Sequence, residues 1–211
     1  LPLALIEYVS TQLGAHLRRQ ADAEARWLGH RVWIGDGTSF SMPDTPELQA
    51  HFGQSGAQAA GCGFPTSTTL VLCDAAGFIT RALPAPLRTH DASQLRGLHD
   101  CLGPGDVLLY DRAGCSYAHL ALLSRQKTHA IIRMHQKQIV SFRAGRLAAG
   151  ALPKDQRRGQ PTSVWVQKLG RRDQLVRWQK PAVKPDWLSA ADYDALPAEL
   201  LVRELRYQVH A

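Results

Sequence analysis

The sequence predicts an α/β protein, with a mixed β-sheet flanked by helices and a smaller β-rich segment after it. Two short apolar runs, Val32–Ile34 and Val107–Tyr110, each lead to an aspartate, as buried strands ending at the rim of a sheet do. Strand and helix patterns alternate up to about residue 136, and basic, strand-like runs follow. The 211 residues, 45% of them hydrophobic, suffice for one large domain or for a domain with a second one inserted.

The first predicted elements are a helix and a short strand. In residues 3–28, apolar side chains recur at steps of three or four, which predicts an amphipathic helix closed by Gly29. Val32–Ile34 follows as a short strand. Residues 37–66 are rich in Gly, Pro, Ser, Gln and Ala, and predict a long irregular excursion. A loop of this length in a compact domain is usually functional or mobile.

A β-hairpin is predicted next. Thr68–Cys73 and Phe78–Leu83 are strand-like runs, and residues 74–77 between them have the composition of a tight turn. Pro84 and Pro86 are expected to end the second strand, because proline cannot donate to a strand ladder.

The chain then predicts helix, strand, helix and strand in turn. These elements are Asp91–Leu102, the continuously apolar Val107–Tyr110, Ser116–Gln126 and Ala130–Met134. The complete order matches a ribonuclease H-like arrangement, in which the first and fourth core strands are adjacent. That adjacency would bring Asp36 and Asp111 together across the sheet.

The last third of the chain predicts a separate strand-rich subdomain. Ser163–Leu169 and Gln174–Trp178 are joined by a plausible hairpin loop at residues 170–173, and Leu200–Val209 alternates like a strand near its end. The predicted organisation is an N-terminal helix at 1–30, a ribonuclease H-like core at 31–136 and a basic β-rich subdomain at 137–211.

Positive charge is concentrated in one segment. The net charge is +7, yet Arg133 to Lys184 contains 13 Lys and Arg against only Asp155 and Asp173. Such a region attracts polyanions such as nucleic acid, although a well-solvated surface has the same composition.

Four arginines of this region are candidate phosphate contacts: Arg157, Arg158, Arg171 and Arg172. The first two lie in a predicted loop and the others at the hairpin tip, and such contacts make binding strongly salt-dependent. Trp165 and Trp178 either stack on bases or pack in the core of the subdomain.

Several classes of protein and site are disfavoured. The first helix carries charged residues, so it is neither a signal peptide nor a membrane span, and no other run is apolar enough to cross a bilayer. The four cysteines form no CxxC pair and the nine histidines no HExxH motif. Free thiols in a reducing compartment are therefore expected.

The two strand-end aspartates suggest metal chemistry, because carboxylates on neighbouring strands can share a divalent cation. Local alternatives remain open. Asp36-Gly37 also suits a type I′ hairpin turn before Phe40–Met42, and Asp111 would equally cap the next helix or pair with Arg112. Arg112 itself would either contact a phosphate of the DNA strand that is cut or form a surface ion pair. Three other aspartates are expected to act in turns or caps: Asp44, Asp91 and Asp106.

The stretches at residues 36–46 and 110–117 resemble the DDE transposases of bacterial insertion sequences, specifically the insertion-sequence-four family. The Gly-Cys-Gly-Phe-Pro run at residues 61–65 and His90-Asp91 are also similar, and the resemblance spans roughly residues 25–210. It implies a ribonuclease H-like core with a β-rich insertion after the fifth core strand. The first two family aspartates would be Asp36 and Asp111.

The resemblance also implies a cofactor. Two Mg²⁺ (or Mn²⁺) ions about 4 Å apart are expected in a complete site, with Asp36 bridging them and Asp111 holding one. The third acid belongs to a later helix with the pattern Tyr-x2-Arg-x3-Glu-x6-Lys, and neither Tyr193 nor Tyr207 begins one. The chain is therefore expected to be truncated before that acid. Glu199 and Glu204, in or beside a predicted strand, are not assigned to it.

The functional expectation is a transposase catalytic-domain fragment for metal-dependent DNA strand cleavage and transfer, inactive alone. Its partners would be transposon-end and target DNA, with a possible homodimer in a synaptic complex, no membrane, and a cytoplasmic, nucleoid-associated location. A non-catalytic DNA-binding or regulatory remnant is the alternative. An unrelated α/β enzyme, in which the two aspartates are coincidental, is the third hypothesis.

Overall fold

The computed structural model describes residues 2–20, 26–57, 59, 61–89 and 91–208. The chain divides into two compact units, one formed by residues 1–115 and 123–133, the other by residues 116–122 and 134–211. Within the described ranges, no helix combines the length and apolar character that a membrane crossing requires.

The N-terminal helix is shorter than predicted. Helix α1 (Leu3–Gln20) is followed by strands β1 (Arg26–Trp27) and β2 (His30–Ser41), while residues 21–25 lie outside the described part. Leu28 and Gly29 have φ angles of 51° and 82°, the left-handed values of a two-residue type I′ turn, and they join β1 to β2. The prediction was wrong here because Leu28 continues the helical apolar spacing but occupies this turn.

Strand β2 has 12 residues, far more than the three predicted. It pairs antiparallel with β3 (Thr66–Asp74) from Trp33 opposite Asp74 to Ser41 opposite Thr66. Asp36 therefore lies inside a continuous strand, and the alternative of a hairpin turn at Asp36-Gly37 is wrong.

The predicted irregular excursion at residues 37–66 is correspondingly shorter. Its start belongs to β2, and it contains helix α2 (Pro46–Phe52). The Thr45 hydroxyl accepts from Leu48 N at the start of this helix, and proline is its first residue. The exposed, polar end of β2 has no apolar alternation, which explains why sequence patterning missed it.

Strand β4 (Ile79–Pro86) contains both prolines that were expected to end it. It pairs with β3 and forms the edge of the sheet. An edge strand tolerates proline because one side of it makes no ladder hydrogen bonds. The predicted tight turn between the strands is confirmed, with Gly77 N donating to Asp74 O and Phe78 N to Asp74 Oδ1.

The helix predicted at residues 91–102 is interrupted. Helix α3 (Asp91–Arg96) ends before Gly97, and a 3₁₀ turn at His99–Cys101 follows. A Cβ on Gly97 would come within 2.9 Å of Leu83 Cδ1, so the glycine permits close packing against β4.

The remaining core elements agree closely with prediction. They are β5 (Val107–Tyr110), α4 (Tyr117–Arg125) and β6 (His129–Ile132). The strand order is β4-β3-β2-β5-β6, with β1 beside β2, and the β2–β5 and β5–β6 pairs are parallel. This ribonuclease H-like order confirms the predicted mixed α/β fold.

The core of this unit lies on one face of the sheet. Apolar side chains from β2, β3 and β5 pack there against residues from the helical segments: Trp33, Leu70, Leu72, Leu95, Leu98, Leu102, Leu108, Tyr110 and Leu123. Asp106, expected in a turn, accepts from Gly103 N and from Trp33 Nε1 through one oxygen, both at 2.7–2.8 Å. This pair of bonds ties the loop before β5 to the core.

The second unit contains a three-stranded antiparallel sheet of β7 (Val164–Gly170), β8 (Asp173–Gln179) and β9 (Glu199–Leu205) in that order. Gly170 pairs with Asp173, so Arg171-Arg172 form the predicted hairpin turn. A short helix, α5 (Ala190–Asp194), precedes β9. Val209, the last residue of the predicted final strand, lies outside the described residues, as does His90.

Candidate active site

Two aspartates lie just beyond the paired residues of neighbouring parallel strands: Asp36 within β2, and Asp111 directly after β5. The register pairs Ile34 of β2 with Leu109 of β5, and Asp36 and Asp111 each lie two residues further along. The backbone of Asp111 stays extended, at φ −76° and ψ −173°. Since paired strands lie about 4.8 Å apart, the predicted adjacency of the two residues follows from the sheet itself.

The two aspartates lie on the face of the sheet opposite the core. Residues two apart on a strand share a face, so Asp36 lies on the face of Ile34 and Asp111 on the face of Leu109. Trp33 and Leu108 belong to the other face, which carries the main apolar cluster. Both aspartates are exposed to solvent.

Each carboxylate uses one oxygen to order the backbone that follows it. Asp36 Oδ1 accepts from Gly37 N, and Asp111 Oδ1 accepts from Ala113 N, both at 2.8 Å. The second bond caps the 3₁₀ turn at Arg112–Gly114, so the capping role that the sequence left open is real. Among the described residues, neither carboxylate forms a further hydrogen bond or an ion pair, which leaves Oδ2 of each available.

The ring of Tyr110 is enclosed by two glycines beside these acids. A Cβ on Gly35 would lie 2.5 Å from Tyr110 Cδ2 and 2.8 Å from Cε2. A Cβ on Gly114 would lie 2.4 Å from Cδ1 and 3.0 Å from Cε1 of the same ring, and 2.8 Å from Leu95 Cδ2. Sequence reasoning missed all three residues, because glycines beside an acid are common and only the folded chain reveals their contact with one ring.

A thiol lies close to the first aspartate. Cys73 is opposite Ile34 in the β2–β3 pair, and its Sγ donates to Ile34 O at 3.5 Å. Burial raises the pKa of Cys73, and the negative charges of Asp74 and Asp36 raise it further. All four cysteines are free, as predicted.

The donor set suits a hard divalent cation. Mg²⁺ prefers oxygen ligands and retains several waters, so two exposed carboxylates without ion-pair partners fit it. No cluster of three or more His, Cys, Asp or Glu side chains with metal-binding geometry occurs among the residues that the structure describes. The two carboxylates are thus suitable donors for such a cation, and they are fewer than the ligands of a complete site.

The two glutamates left unassigned have other roles in the β7–β8–β9 sheet. Glu204 is buried and accepts from Gln174 Nε2 at 2.8 Å and Trp178 Nε1 at 3.2 Å. Glu199 forms an ion pair with Arg177 at 3.2 Å. The bond to Glu204 also places Trp178 in the core of the subdomain rather than on a base-stacking surface.

The candidate phosphate-binding arginines differ in their surroundings. Arg157 Nε donates to Leu152 O at 2.8 Å, so its guanidinium helps to hold its own loop. The side chains of Arg158, Arg171 and Arg172 are exposed, and within the described structure they make no hydrogen bond or ion pair. Arg112 is also exposed, directly after Asp111.

The predicted roles of three other aspartates have different outcomes. Asp44 accepts from Gln49 Nε2 at 2.8 Å, a local contact beside α2. Asp106 has the turn role described above. The side chain of Asp91 lies outside what the structure describes.

Solved structures that align with parts of the chain have low similarity to it. One is a simian T-cell lymphotropic virus intasome in complex with PP2A regulatory subunit B56 gamma (17% identity, TM-score 0.32, 52% of this chain and 37% of that chain). Another is a Mos1 transposase paired-end complex with left transposon end (15% identity, TM-score 0.33, 62% of this chain and 42% of that chain). A third is a piggyBac transposase synaptic complex with hairpin DNA (13% identity, TM-score 0.36, 70% of this chain and 30% of that chain). The chain thus spans about two fifths or less of their length. TM-scores this low do not establish a relationship between the chain and these proteins.

The comparison with protein families is more informative. None of the curated proteins compared with the chain matches it. Residues 27–201, however, match the family described as Transposase DDE domain. This match covers Asp36 and Asp111, the six-stranded sheet except Arg26, and most of the basic unit. The chain belongs to the Transposase DDE domain family.

Proposed function

We propose that this chain carries part of the catalytic site of a metal-dependent DNA transposase, which cleaves DNA strands and transfers them. Asp36 and Asp111 are the proposed metal ligands. The observation that carries the proposal is the parallel β2–β5 register, in which Asp36 and Asp111 each lie two residues beyond the paired Ile34 and Leu109. The family match supports the same assignment.

The chemistry follows from the charge of the two carboxylates. Divalent cations bound there would activate a hydroxyl for in-line attack on phosphorus and stabilise the leaving oxygen. As the resemblance implies, Asp36 would be shared by two ions and Asp111 would hold one of them. Oδ1 of each acid keeps its backbone contact, so Oδ2 would be the ligand atom. A third carboxylate would complete the set, and no described residue joins the pair as a third ligand.

DNA is the proposed substrate and partner. The unit of residues 116–122 and 134–211 contains 14 Lys and Arg against 7 Asp and Glu, so it carries the entire net charge of +7. Arg158, Arg171 and Arg172 are exposed there, and such side chains neutralise phosphates and release counterions. Arg112 would contact the phosphate nearest the acids.

The finer assignments rest on the sequence resemblance. They are membership of the insertion-sequence-four family, a homodimer in a synaptic complex, and a nucleoid-associated cytoplasmic location. The similarity of residues 36–46 and 110–117 to that family supports them.

DNA binding without cleavage is the second candidate function. The concentration of positive charge in one unit favours it, because that unit needs no metal to attract a polyanion. The two candidates differ in whether the aspartate pair binds a divalent cation.

Calorimetric titration with Mn²⁺ tests the leading proposal. The wild-type chain should bind Mn²⁺, and Asp36→Asn and Asp111→Asn should each remove most of that binding, since either change takes one charged ligand from a shared site. Asp100→Asn is the matched control. Asp100 is an exposed acid of the same unit that pairs with Arg96, so its loss should leave the affinity unchanged.

The alternative has a distinct outcome in the same titration. Wild-type affinity retained in both aspartate variants would contradict a shared metal site. If DNA binding persisted in those variants, the non-catalytic candidate would be supported.

A further inference from the structure

We propose that Tyr110 is a positioning residue that sets the separation of the two acids, with its ring held between the backbones of Gly35 and Gly114. This inference rests on the proposed metal-binding role of Asp36 and Asp111. It implies that Gly35 and Gly114 lack a side chain because a Cβ at either position would collide with the ring.

The ring contacts one glycine along each side. Its Cδ2 and Cε2 atoms face Gly35, on the strand that carries Asp36. Its Cδ1 and Cε1 atoms face Gly114, at the end of the turn that Asp111 caps. One aromatic ring therefore spans the gap between the two backbone segments that present the acids.

The close approach of the Tyr110 ring, and not a special backbone conformation, explains why residues 35 and 114 are glycine. Neither Gly35 nor Gly114 is among the residues with positive φ, so an L side chain would fit either backbone conformation. The built Cβ positions nevertheless lie only 2.4–3.0 Å from the nearest ring carbons. Gly37, on the other side of Asp36, has nothing within 4 Å of its Cβ position and also lacks a positive φ.

The ring cannot move aside cheaply. Tyr110 is 7% exposed and belongs to the main apolar cluster, and Leu95 of that cluster also contacts the Gly114 position. A methyl group on Gly35 must therefore displace the ring or its own strand. Metal-binding groups tolerate displacements of only about 0.5 Å, so either movement should reach the acids.

The test compares Gly35→Ala with Gly37→Ala. Both add one methyl group next to Asp36, but only the first meets the ring. Gly35→Ala should weaken Mn²⁺ binding about tenfold or more, the scale seen when supporting residues of metal ligands are changed. Gly37→Ala should retain the wild-type affinity. Thermal unfolding of each variant reports whether the fold persists.

A second readout does not depend on metal. The Ala113 amide donates to Asp111 Oδ1 and directly precedes Gly114, which contacts the other side of the ring, so its NMR resonance should shift in Gly35→Ala and stay unchanged in Gly37→Ala. An unshifted Ala113 resonance in Gly35→Ala overturns the inference. If the wild-type chain binds no Mn²⁺, the proposed function fails, and this resonance still decides the positioning role.

Tyr110→Leu keeps the inference testable if Gly35→Ala does not fold. Removal of the ring should also weaken Mn²⁺ binding, and unchanged affinity in a folded Tyr110→Leu variant overturns the inference. In the double variant Gly35→Ala/Tyr110→Leu, the methyl group occupies space that the ring has vacated. Its affinity should exceed that of either single variant, a coupling that a general loss of stability would not produce.

Discussion

At the residue scale, each acid has an observed structural role beside its proposed chemical one. Asp36 and Asp111 each commit Oδ1 to a backbone N–H at 2.8 Å, and this bond fixes the carboxylate plane. Metal-binding carboxylates are commonly held by such hydrogen bonds, which orient the free oxygen. The capping role of Asp111 is therefore compatible with metal binding. A residue that the sequence suggests as a helix cap can also be a metal ligand.

Cys73 provides a chemical probe of Asp36. Burial is the main reason that the pKa of this thiol is raised, and the charges of Asp74 and Asp36 add to it. Asp36→Asn removes one of these charges, so the pKa of Cys73 should fall and alkylation by iodoacetamide at mildly alkaline pH should be modestly faster. Peptide mass spectrometry would measure the rate, with Cys101 as the internal control. A rate at Cys73 equal to that of the wild type would contradict the proximity of the two groups.

The site also shows which of its residues can be predicted from the sequence and which cannot. Asp36 and Asp111 could be identified because each follows an apolar run, a signal present in the sequence. The contact of Tyr110 with Gly35 and Gly114 could not, because it depends on the distance between two strands and a turn.

At the element scale, the change of partners along β2 defines the site. Trp33 and Ile34 pair with β3 on one side and β5 on the other, whereas Asp36 to Ser41 pair only with β3. Asp36 lies beyond the last residue paired with β5, and its side chain is exposed to solvent. The predicted end of the strand at Asp36 is therefore only the end of its pairing with β5. The strand itself continues beyond that residue.

Prediction of the elements succeeded where burial dominates. Val107–Tyr110 agrees with β5 because a strand covered on both faces must be continuously apolar. The errors occurred where exposure or an edge removes that constraint. The outer half of β2 is polar, β4 tolerates Pro84 and Pro86 as an edge strand, and Leu28 occupies a turn.

The β8–β9 pair makes a prediction about pH. Arg203 Nη2 lies 2.6 Å from Asp173 Oδ2, and the hydrogen bond from Arg203 lowers the pKa of Asp173 below its ordinary value of 3.8. The pair therefore stabilises the fold above that value, and the contribution is lost as the pH falls through the lowered pKa. Arg203→Gln should raise the pKa of Asp173, as measured by NMR titration of its carboxyl carbon.

The control for this titration is Arg177→Gln. Arg177 pairs with Glu199, so its removal should leave the pKa of Asp173 unaltered. A pKa of Asp173 that is the same in the wild type and in Arg203→Gln would rule out the proposed contribution of the ion pair.

At the scale of the whole molecule, the excess positive charge and the two proposed metal-binding acids belong to different units. The unit with the six-stranded sheet has 11 Lys and Arg against 11 Asp and Glu, and the other unit carries the excess of positive charge. This division suits a protein in which one unit supplies affinity for DNA and the other supplies chemistry. The sequence predicted the charge distribution directly, because charge counts do not depend on the fold.

The hairpin turn between β7 and β8 should contribute to DNA affinity. Arg171→Gln/Arg172→Gln should weaken binding of random duplex DNA and make the slope of log K against log[salt] shallower by about 0.9 for each lost phosphate contact. Fluorescence anisotropy at several salt concentrations would measure both quantities. Arg96→Gln, in the other unit, is the control and should leave the slope unchanged. An unaltered slope in the double variant would exclude the turn from the DNA interface.

The central claim is that Asp36 and Asp111 bind the same cation, and paramagnetic broadening by Mn²⁺ tests it most directly. The amides of Gly37 and Ala113 donate to Asp36 and Asp111, so each reports on one carboxylate, while Gly105, in the loop that precedes β5, is the reference. In a titration followed by NMR, the Gly37 and Ala113 resonances should broaden together, with one midpoint, before Gly105 is affected. Broadening of only one of the two, or of each at a different Mn²⁺ concentration, would contradict a shared site.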